Sequence, residues 1–257
     1  MYSFRTKHWK TALTLGLSLL LLACAAQQPK SSSEEIPAPD PQANVREAMQ
    51  YLKQDNPERA LNKVLLALKE DPENVKAYNV AGLVYEKYGQ PNLAGKYFRR
   101  AIELAPQSAS VRNNYGKFLC TQQDFKQAEE NFLMAAASQD SRATEVAYTN
   151  AGLCALRIPD SDRAAQYFRA ALDANPRLAV PYYQMARINL EKQRYPQARR
   201  NLQSYTHYAA HTSKSLLLGI RIERALGNPQ QEQQYARMLQ ERFPESPEIR
   251  ELLLHVP

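Results

Sequence analysis

Two short clusters of side chains in this sequence contain residue types that can bind metal ions. His207 and His211 are four residues apart near the end of a predicted helix, so they would share a helix face. A zinc site needs a third and usually a fourth ligand, and none is obviously placed. The acidic run Asp160-Ser161-Asp162 falls in a predicted turn between helices, which is typical of helix capping rather than of calcium binding. We therefore expect no metal site.

Catalytic motifs are equally scarce. The sequence has no nucleophile elbow, P-loop or dinucleotide fingerprint, and its eight glycines form no phosphate cradle. The net charge is +7 and becomes +4 without residues 1–23, which carry three cations and no acid. The remaining basic residues are scattered and do not alternate with aromatic ones, which argues against nucleic acid. We expect a protein that is not an enzyme, with no cofactor, no small-molecule substrate and no nucleic-acid partner.

Residues 1–23 have the features of a secretory signal peptide: a basic start and then an apolar run, at 11–23, that is too short to span a bilayer as a helix. The run ends in Leu21-Leu22-Ala23-Cys24, which resembles a bacterial lipobox. The resemblance implies that Cys24 becomes the acylated first residue of the mature chain, and a buried structural cysteine is the alternative. No aspartate occupies the second mature position, so the resemblance also implies sorting to the outer membrane, on its periplasmic face.

Residues 24–40 form the predicted tether. This stretch is polar, poor in apolar side chains and interrupted by three prolines, a composition typical of a disordered linker. A flexible chain of this length reaches on the order of 20–25 Å on average. The folded part of the protein would therefore stay close to the membrane that holds the lipid.

From residue 41 onward a motif returns about every 34 residues. Its clearest copy begins at Val75 and has these residues: Tyr78, Ala81, Gly82, Tyr85, Ala94, Phe98, Ala101 and Pro106. This is the pattern of tetratricopeptide repeats, in which small residues let two antiparallel helices approach and large ones fill the space to the next pair. The repeats span residues 41–74, 75–108, 109–144, 145–178, 179–212 and 213–246, and a capping tail spans 247–257. The predicted fold is all-α, a right-handed superhelical solenoid of six tetratricopeptide repeats, and a set of unrelated amphipathic helices is the alternative.

Tetratricopeptide repeats bind other chains along the concave face, to which positions two, five, nine and twelve of each first helix point. In repeats one and two these positions include four apolar side chains: Val45, Met49, Leu52 and Leu83. We expect this set to be exposed and to bind an amphipathic helix or strand of a partner, unless the tether covers it. Lys76 flanks the set, and the amides of Asn79 and Asn113 can donate and accept hydrogen bonds to a partner backbone.

Cys120 and Cys154 are 34 residues apart, so they occupy nearly equivalent places in adjacent repeats. An exported chain meets an oxidising compartment, and we therefore predict a disulfide between repeats three and four. Two buried reduced thiols that act as small core residues are the alternative.

The lipobox, the proline-rich tether and the six repeats together resemble the type IV pilus biogenesis lipoproteins, the pilotins of the PilF and PilW family. Residues 112–120 and 150–154, which end in the two cysteines, resemble that family's third and fourth repeats, and the similarity covers essentially the whole chain. The resemblance implies a non-catalytic outer-membrane lipoprotein that binds the secretin, the ring-shaped pore for the pilus, and helps it to localise and multimerise. A periplasmic repeat lipoprotein that serves outer-membrane barrel assembly or peptidoglycan synthesis is the alternative.

Overall fold

The computed structural model describes residues 40–254, with side chains as far as residue 252. Within that range the chain forms thirteen helices and no strand. The helices are α1 (Pro41–Lys53), α2 (Pro57–Glu70), α3 (Val75–Lys87), α4 (Pro91–Leu104), α5 (Ala109–Thr121), α6 (Phe125–Ala136), α7 (Ser141–Ala155), α8 (Ser161–Ala174), α9 (Ala179–Glu191), α10 (Tyr195–Tyr208), α11 (Ser213–Ala225), α12 (Pro229–Arg242) and α13 (Pro247–Leu254). The predicted signal peptide, the lipid attachment at Cys24 and nearly all of the tether lie outside the described residues.

Local side chains fix where most helices begin. At eight helix starts a polar side chain accepts a hydrogen bond from an N–H of the first turn: Asp40, Asn56, Asn74, Asp124, Asp140, Asp160, Thr212 and Asn228. Such caps satisfy N–H groups that have no partner inside the helix. Proline, which needs no N–H partner there, occupies the first turn of α1, α2, α4, α10 and α12.

The start of the fourth repeat differs from the sequence division. We begin that repeat at Glu145, whereas α7 already begins at Ser141. Asp140 caps the earlier start by accepting from the backbone N–H of Arg142 at 2.9 Å. The hydroxyl of Thr144 donates to the carbonyl oxygen of Ala136 at 2.9 Å and so holds the new turn against the end of α6. The two extra residues of repeat three are thus absorbed by a longer first helix in repeat four.

A glycine of the first helix meets an aromatic ring of the second in the central repeats. The pairs are Gly82 with Phe98, Gly116 with Phe132 and Gly152 with Phe168. A Cβ atom at any of these glycines would lie between 2.6 and 2.8 Å from the ring, which is closer than packed atoms approach. At the equivalent places repeat one has Ala48 with Val64, and repeat five has Ala186 with Leu202. A larger residue on one helix is therefore matched by a smaller one on the other.

The first helices of the repeats form a wall. They contact one another in succession from α1 to α7, and α9 contacts α11, whereas the second helices make no comparable contact with one another in residues 40–254. We call the exposed face of α1, α3, α5, α7, α9 and α11 the first-helix wall. α7 and α9 approach each other less closely than the other neighbouring first helices do. At the far end Leu252 of α13 packs on Leu216 and Leu239, so that α13 covers the last core cluster.

Candidate functional site

The apolar set predicted on α1 is less exposed than the sequence indicates. Val45 is only 5% exposed and lies in a core cluster with Val64 of α2 and Val80 of α3, so the prediction that it is exposed is wrong. Its burial follows from its position, because α2 and α3 both pack against α1. Met49 is 36% exposed, and Leu52 is half-buried against the same cluster. The open apolar surface of α1 is therefore mainly Met49.

The α3 residues of the predicted site lie against a different cluster. Leu83 is half-buried and packs against the core of repeats two to four, which includes Tyr115. Lys76 is exposed near the start of α3. Near its end, half-buried Glu86 accepts a hydrogen bond from the hydroxyl of Thr121 at 3.3 Å, and burial raises the pKa of this carboxyl above its usual value. The predicted residues are therefore divided between two clusters.

Asparagine side chains join neighbouring first helices. The Nδ2 of Asn114 on α5 donates to the Oδ1 of Asn79 on α3 at 3.2 Å. In the next step the Nδ2 of Asn150 on α7 donates to the Oδ1 of Asn113 on α5 at 2.9 Å. All four side chains are half-buried. Within residues 40–254 the amide nitrogens of Asn79 and Asn113 and the amide oxygens of Asn114 and Asn150 have no hydrogen-bond partner.

Cys120 and Cys154 are joined by a disulfide in the structure, with their Cα atoms 5.9 Å apart. Both are buried in the core of repeats two to four. The guanidinium of Arg157 donates to the carbonyl oxygen of Cys120 at 2.7 Å. These contacts join α5 to α7, the same two helices that the Asn113–Asn150 hydrogen bond joins. The oxidation state of the pair in the cell stays a prediction.

Two cavities in the wall, which we did not predict, lie on either side of Val146. One has a volume of about 380 Å³, lies between α5 and α7, and is lined by Asn113, Asn114 and Arg142 as well as Val146. The other has a volume of about 220 Å³ and is formed by α7 and the start of α9. Its lining includes Val146, Asn150, Leu178, Val180 and Pro181. Val146 borders both cavities, and we call the pair the central groove.

A sequence signal for the central groove existed. Position two of the first helix is polar in repeats two and three, where it is Lys76 and Ser110, but it is valine at Val146 and Val180. These valines are 41% and 47% exposed, more than the apolar residue Met49 of repeat one. The change at this one position across the repeats therefore marks both valines in the sequence. The cavities themselves could not be predicted from these positions, because they lie between the first helices of neighbouring repeats.

The wall of repeats five and six is charged. A cavity of about 290 Å³ lies between α9, α11 and α13, and its lining includes Arg187, Lys214, Arg221, Glu248 and Glu251. Arg221 forms an ion pair with Glu251 of α13. The positive charges in this cavity are thus offset by carboxylates of the same chain.

A buried ion pair lies behind that charged wall. The Nε of Arg199 on α10 donates to the Oε1 of Glu223 on α11 at 2.8 Å, and the carboxylate of Glu223 is almost wholly buried. Asn228 donates to the other carboxylate oxygen at 3.0 Å. The hydrogen bonds to Glu223 raise the pKa of Arg199 above its usual value. This network joins repeat five to repeat six.

The two histidines do not share a helix face. α10 ends at Tyr208, so His211 lies in the connection to α11 and the helical spacing of the pair is lost. The Nδ1 of His211 is 3.1 Å from the hydroxyl of Ser215, and burial lowers its pKa. Residues 40–254 contain no group of three side chains suited to hold a metal ion. None of the helices described is long and apolar enough to cross a bilayer.

Comparison with known proteins assigns the chain to a family. The tetratricopeptide repeat model matches residues 45–109 and 112–179, which together are about half of the chain. The chain is 28% identical to the type IV pilus assembly protein PilF of Pseudomonas aeruginosa over 211 residues, which cover 81% of this chain and 83% of PilF. It is 31% identical to an uncharacterized protein of Haemophilus influenzae over 140 residues, which cover 54% of this chain and 76% of that protein.

Solved structures agree with the sequence relatives. The crystal structure of PilW, a widely conserved type IV pilus biogenesis factor, matches with a TM-score of 0.73 and 28% identity over 83% of this chain and 98% of PilW. The structure of Pseudomonas aeruginosa PilF matches with a TM-score of 0.73 and 26% identity over 84% of this chain and 97% of that protein. The chain therefore belongs to the tetratricopeptide repeat family and is a homologue of the type IV pilus biogenesis factors PilF and PilW.

Proposed function

We propose that this protein is a non-catalytic outer-membrane lipoprotein that binds the type IV pilus secretin and promotes its localisation and multimerisation during pilus biogenesis. The observation that carries the proposal is the match to PilF, which covers 81% of this chain and 83% of that protein. A match over nearly the whole repeat array supports a shared kind of partner, because a solenoid binds along a surface to which several repeats contribute.

The lipid would bring the first repeats to the membrane. In the proposal Cys24 carries the acyl chains, and the tether of residues 24–40 leads directly into α1. A partner that binds repeats one and two would then be held at the membrane into which it must insert. Cys24→Ser should abolish labelling by a clickable fatty acid and release the protein from the outer membrane. A labelled Cys24→Ser protein that still floats with outer membrane would exclude this anchor.

Met49 is the residue of α1 best placed to contact the secretin. It is 36% exposed, on the first-helix wall, and exposed Lys76 lies on the neighbouring first helix. A partner side chain packed on Met49 would exclude water from this contact. An aspartate at position 49 would then have to lose its hydration without an ionic partner, which is costly. Leu52 is a poorer choice for mutation because it also packs on the core.

The experiment compares Met49→Asp with Leu66→Asp in cells that lack the wild-type gene. Leu66 is 44% exposed but lies on α2, away from the first-helix wall, so it controls for the loss of an exposed apolar side chain. We expect secretin multimers and piliation to fall sharply in Met49→Asp only, at wild-type levels of the lipoprotein in the outer membrane. Normal secretin multimers in Met49→Asp would show that the secretin does not bind at Met49 of repeat one.

A further inference from the structure

A cavity between the second helices α6 and α8, which we call the Cys154 cavity, reaches one cysteine of the disulfide. Its volume is about 430 Å³, within the range of roughly 300–1,000 Å³ that is typical of small-molecule sites. Cys154 lines this cavity, and Cys120 does not. Both cysteines are 6% exposed, so exposure alone does not distinguish them. A molecule that enters the cavity therefore approaches Cys154 and not Cys120.

The lining of the Cys154 cavity combines buried apolar residues with charged ones. Its buried residues are Phe132, Ala151, Cys154 and Ala155. Leu133 also lines the cavity but is 42% exposed, so it lies toward the solvent. Two cations and two carboxylates complete the charged part of the lining, and they are Lys126, Arg163, Glu129 and Glu130. Because these charges cancel, the cavity does not repel an anionic thiolate.

The other sulfur of the disulfide has a cation beside it. The Nη1 of Arg157, which donates to the carbonyl oxygen of Cys120 at 2.7 Å, is 3.9 Å from the Sγ of the same cysteine. A neighbouring guanidinium stabilises a thiolate. In thiol–disulfide exchange, the sulfur that is more stable as a thiolate leaves faster. The two cysteines therefore differ in role, because the cavity opens on Cys154 while Arg157 would stabilise negative charge on Cys120.

We propose that Cys154 is a thiol-exchange site in the folded protein, at which an external thiolate attacks the disulfide and Cys120 is the leaving group. The substrate is a thiol, which is either a small one such as glutathione or the active-site cysteine of a thiol–disulfide oxidoreductase. This inference goes beyond the proposed function and does not rest on it. Exchange at this site makes or breaks the bond between repeats three and four while the repeats stay folded.

The exchange takes place in two displacements. The sulfur of the entering thiolate forms a bond to the Sγ of Cys154, the Sγ–Sγ bond breaks, and its electron pair leaves on the Sγ of Cys120 beside Arg157. A second thiolate of the reductant then attacks the sulfur that entered first and releases Cys154 as a thiolate. The protein disulfide is thereby reduced to two thiols, and two reductant thiols are oxidised to one disulfide. The reverse sequence forms the bond.

Trapping of the first mixed disulfide tests the proposal. The full-length protein in mild detergent is treated with reduced glutathione and quenched with acid at short intervals. Free thiols are then alkylated at low pH, and mass mapping assigns each cysteine. We expect the earliest adduct to carry glutathione on Cys154 and the alkyl group on Cys120. An adduct that forms first on Cys120, or no adduct while the protein is folded, would overturn the inference.

Two neighbouring residues of α6 provide a matched test of the route. Leu133 lines the Cys154 cavity, whereas Met134 is 54% exposed and does not line it. A tryptophan at position 133 would occupy space in the cavity, so Leu133→Trp should slow the exchange by more than about fivefold. Met134→Trp adds the same ring outside the cavity and should leave the rate unchanged. Equal rates in the two variants would show that the thiolate does not enter through the cavity.

Substitution of Arg157 tests the leaving group. Arg157→Met removes the cation near the Sγ of Cys120, and the first displacement should slow by about three- to fivefold. Arg157→Lys keeps the charge and should recover most of the rate. A purely structural role of Arg157 predicts the opposite order, because a less stable protein would expose its disulfide more often and react faster. Faster exchange in Arg157→Met would therefore contradict the assigned role.

Two further measurements separate the routes and the substrates. Below the unfolding transition the exchange rate should hardly change with urea, because attack through the cavity exposes no new surface, and a rate that rises in parallel with global unfolding would overturn the inference. Thioredoxin that lacks its second active-site cysteine then serves as a trap. A covalent complex through Cys154 supports an oxidoreductase as the substrate, and glutathione on Cys154 without such a complex supports a small thiol. Failure of these tests leaves the proposed secretin function standing, because none of them involves the first-helix wall.

Discussion

Repeats two to four and repeat five continue the same stack of helices by different contacts. In the central repeats a glycine of the first helix meets a phenylalanine of the second, and asparagine amides join one first helix to the next. Repeat five has Ala186 and Leu202 at the glycine and phenylalanine positions, and the Arg199–Glu223 ion pair joins it to repeat six. Repeat six again has a glycine against an aromatic ring, Gly219 with Tyr235. The wall changes accordingly from amide and aliphatic groups to charged ones. A repeat can thus lose consensus residues and still stack, because another contact replaces the lost one.

The largest expected loss of stability distinguishes the core of repeat four from that of repeat five. Phe168 is wholly buried against Gly152, and Phe168→Ala should lower the free energy of unfolding by about 3–5 kcal/mol. Leu202→Ala at the equivalent place in repeat five should cost about 2–4 kcal/mol, since a smaller side chain is removed. Urea unfolding followed by circular dichroism measures both, with exposed Leu133→Ala as the control. A smaller loss for Phe168→Ala than for Leu202→Ala would contradict the account of the central packing.

The disulfide should stabilise the central repeats by a comparable amount. Cys120 and Cys154 are 34 residues apart, and closing a loop of that length is worth roughly 3–4 kcal/mol from chain entropy. The double variant Cys120→Ala, Cys154→Ala should lose about that much stability. Mass mapping of the native protein from cells, without reductant, checks the bond itself. Two thiols that alkylate freely in the folded protein would show that the pair is reduced.

The ion pair should matter most in repeats five and six. Arg199→Ala leaves the buried carboxylate of Glu223 without its cation, and we expect a loss of about 3 kcal/mol. The exposed pair Arg100–Glu103 offers a matched control, for which Glu103→Ala should cost less than about 0.5 kcal/mol. Thermal and urea unfolding measure both. Equal losses in the two variants would mean that the buried pair does not hold repeats five and six together.

The smallest effect concerns pH and the wall at repeat two. Burial raises the pKa of Glu86, so the folded state binds its proton more tightly than the unfolded state does. The ionised carboxylate therefore costs stability above its folded pKa, and that cost disappears as the pH falls through the raised value. Glu86→Gln should stabilise the protein by less than about 1 kcal/mol at neutral pH, with no gain in acid. Exposed Glu58→Gln is the control, and a gain that persists in acid would contradict the assignment.

The sequence was sufficient for the repeat architecture because its signals are local. The spacing of small, aromatic and proline residues predicted the tetratricopeptide fold, and the comparisons confirm it. The repeat period did not predict the start of α7 at Ser141. That start depends on local hydrogen bonds made by Asp140 and Thr144, which the repeat pattern does not contain. The prediction that His207 and His211 share a helix face is wrong for a similar reason, because α10 ends before His211.

The candidate site was harder to predict because it depends on contacts between repeats. Val45 occupies a position that faces outward in a repeat pattern, but α2 and α3 together bury it. The sequence predicts amides on the concave face at Asn79 and Asn113. It does not predict their hydrogen bonds to Asn114 and Asn150, because those depend on how neighbouring helices pack. The central groove lies between the first helices of different repeats, so the sequence of one repeat does not predict it.

The most direct test of the central claim is co-purification of the type IV pilus secretin with this protein. The tagged full-length protein is extracted from total cell membranes in mild detergent and captured, and its partners are identified by mass spectrometry. We expect the type IV pilus secretin to be recovered with the wild type and with Leu66→Asp, and to be lost with Met49→Asp. Recovery of barrel-assembly or peptidoglycan-synthesis proteins without any secretin would contradict the proposed function.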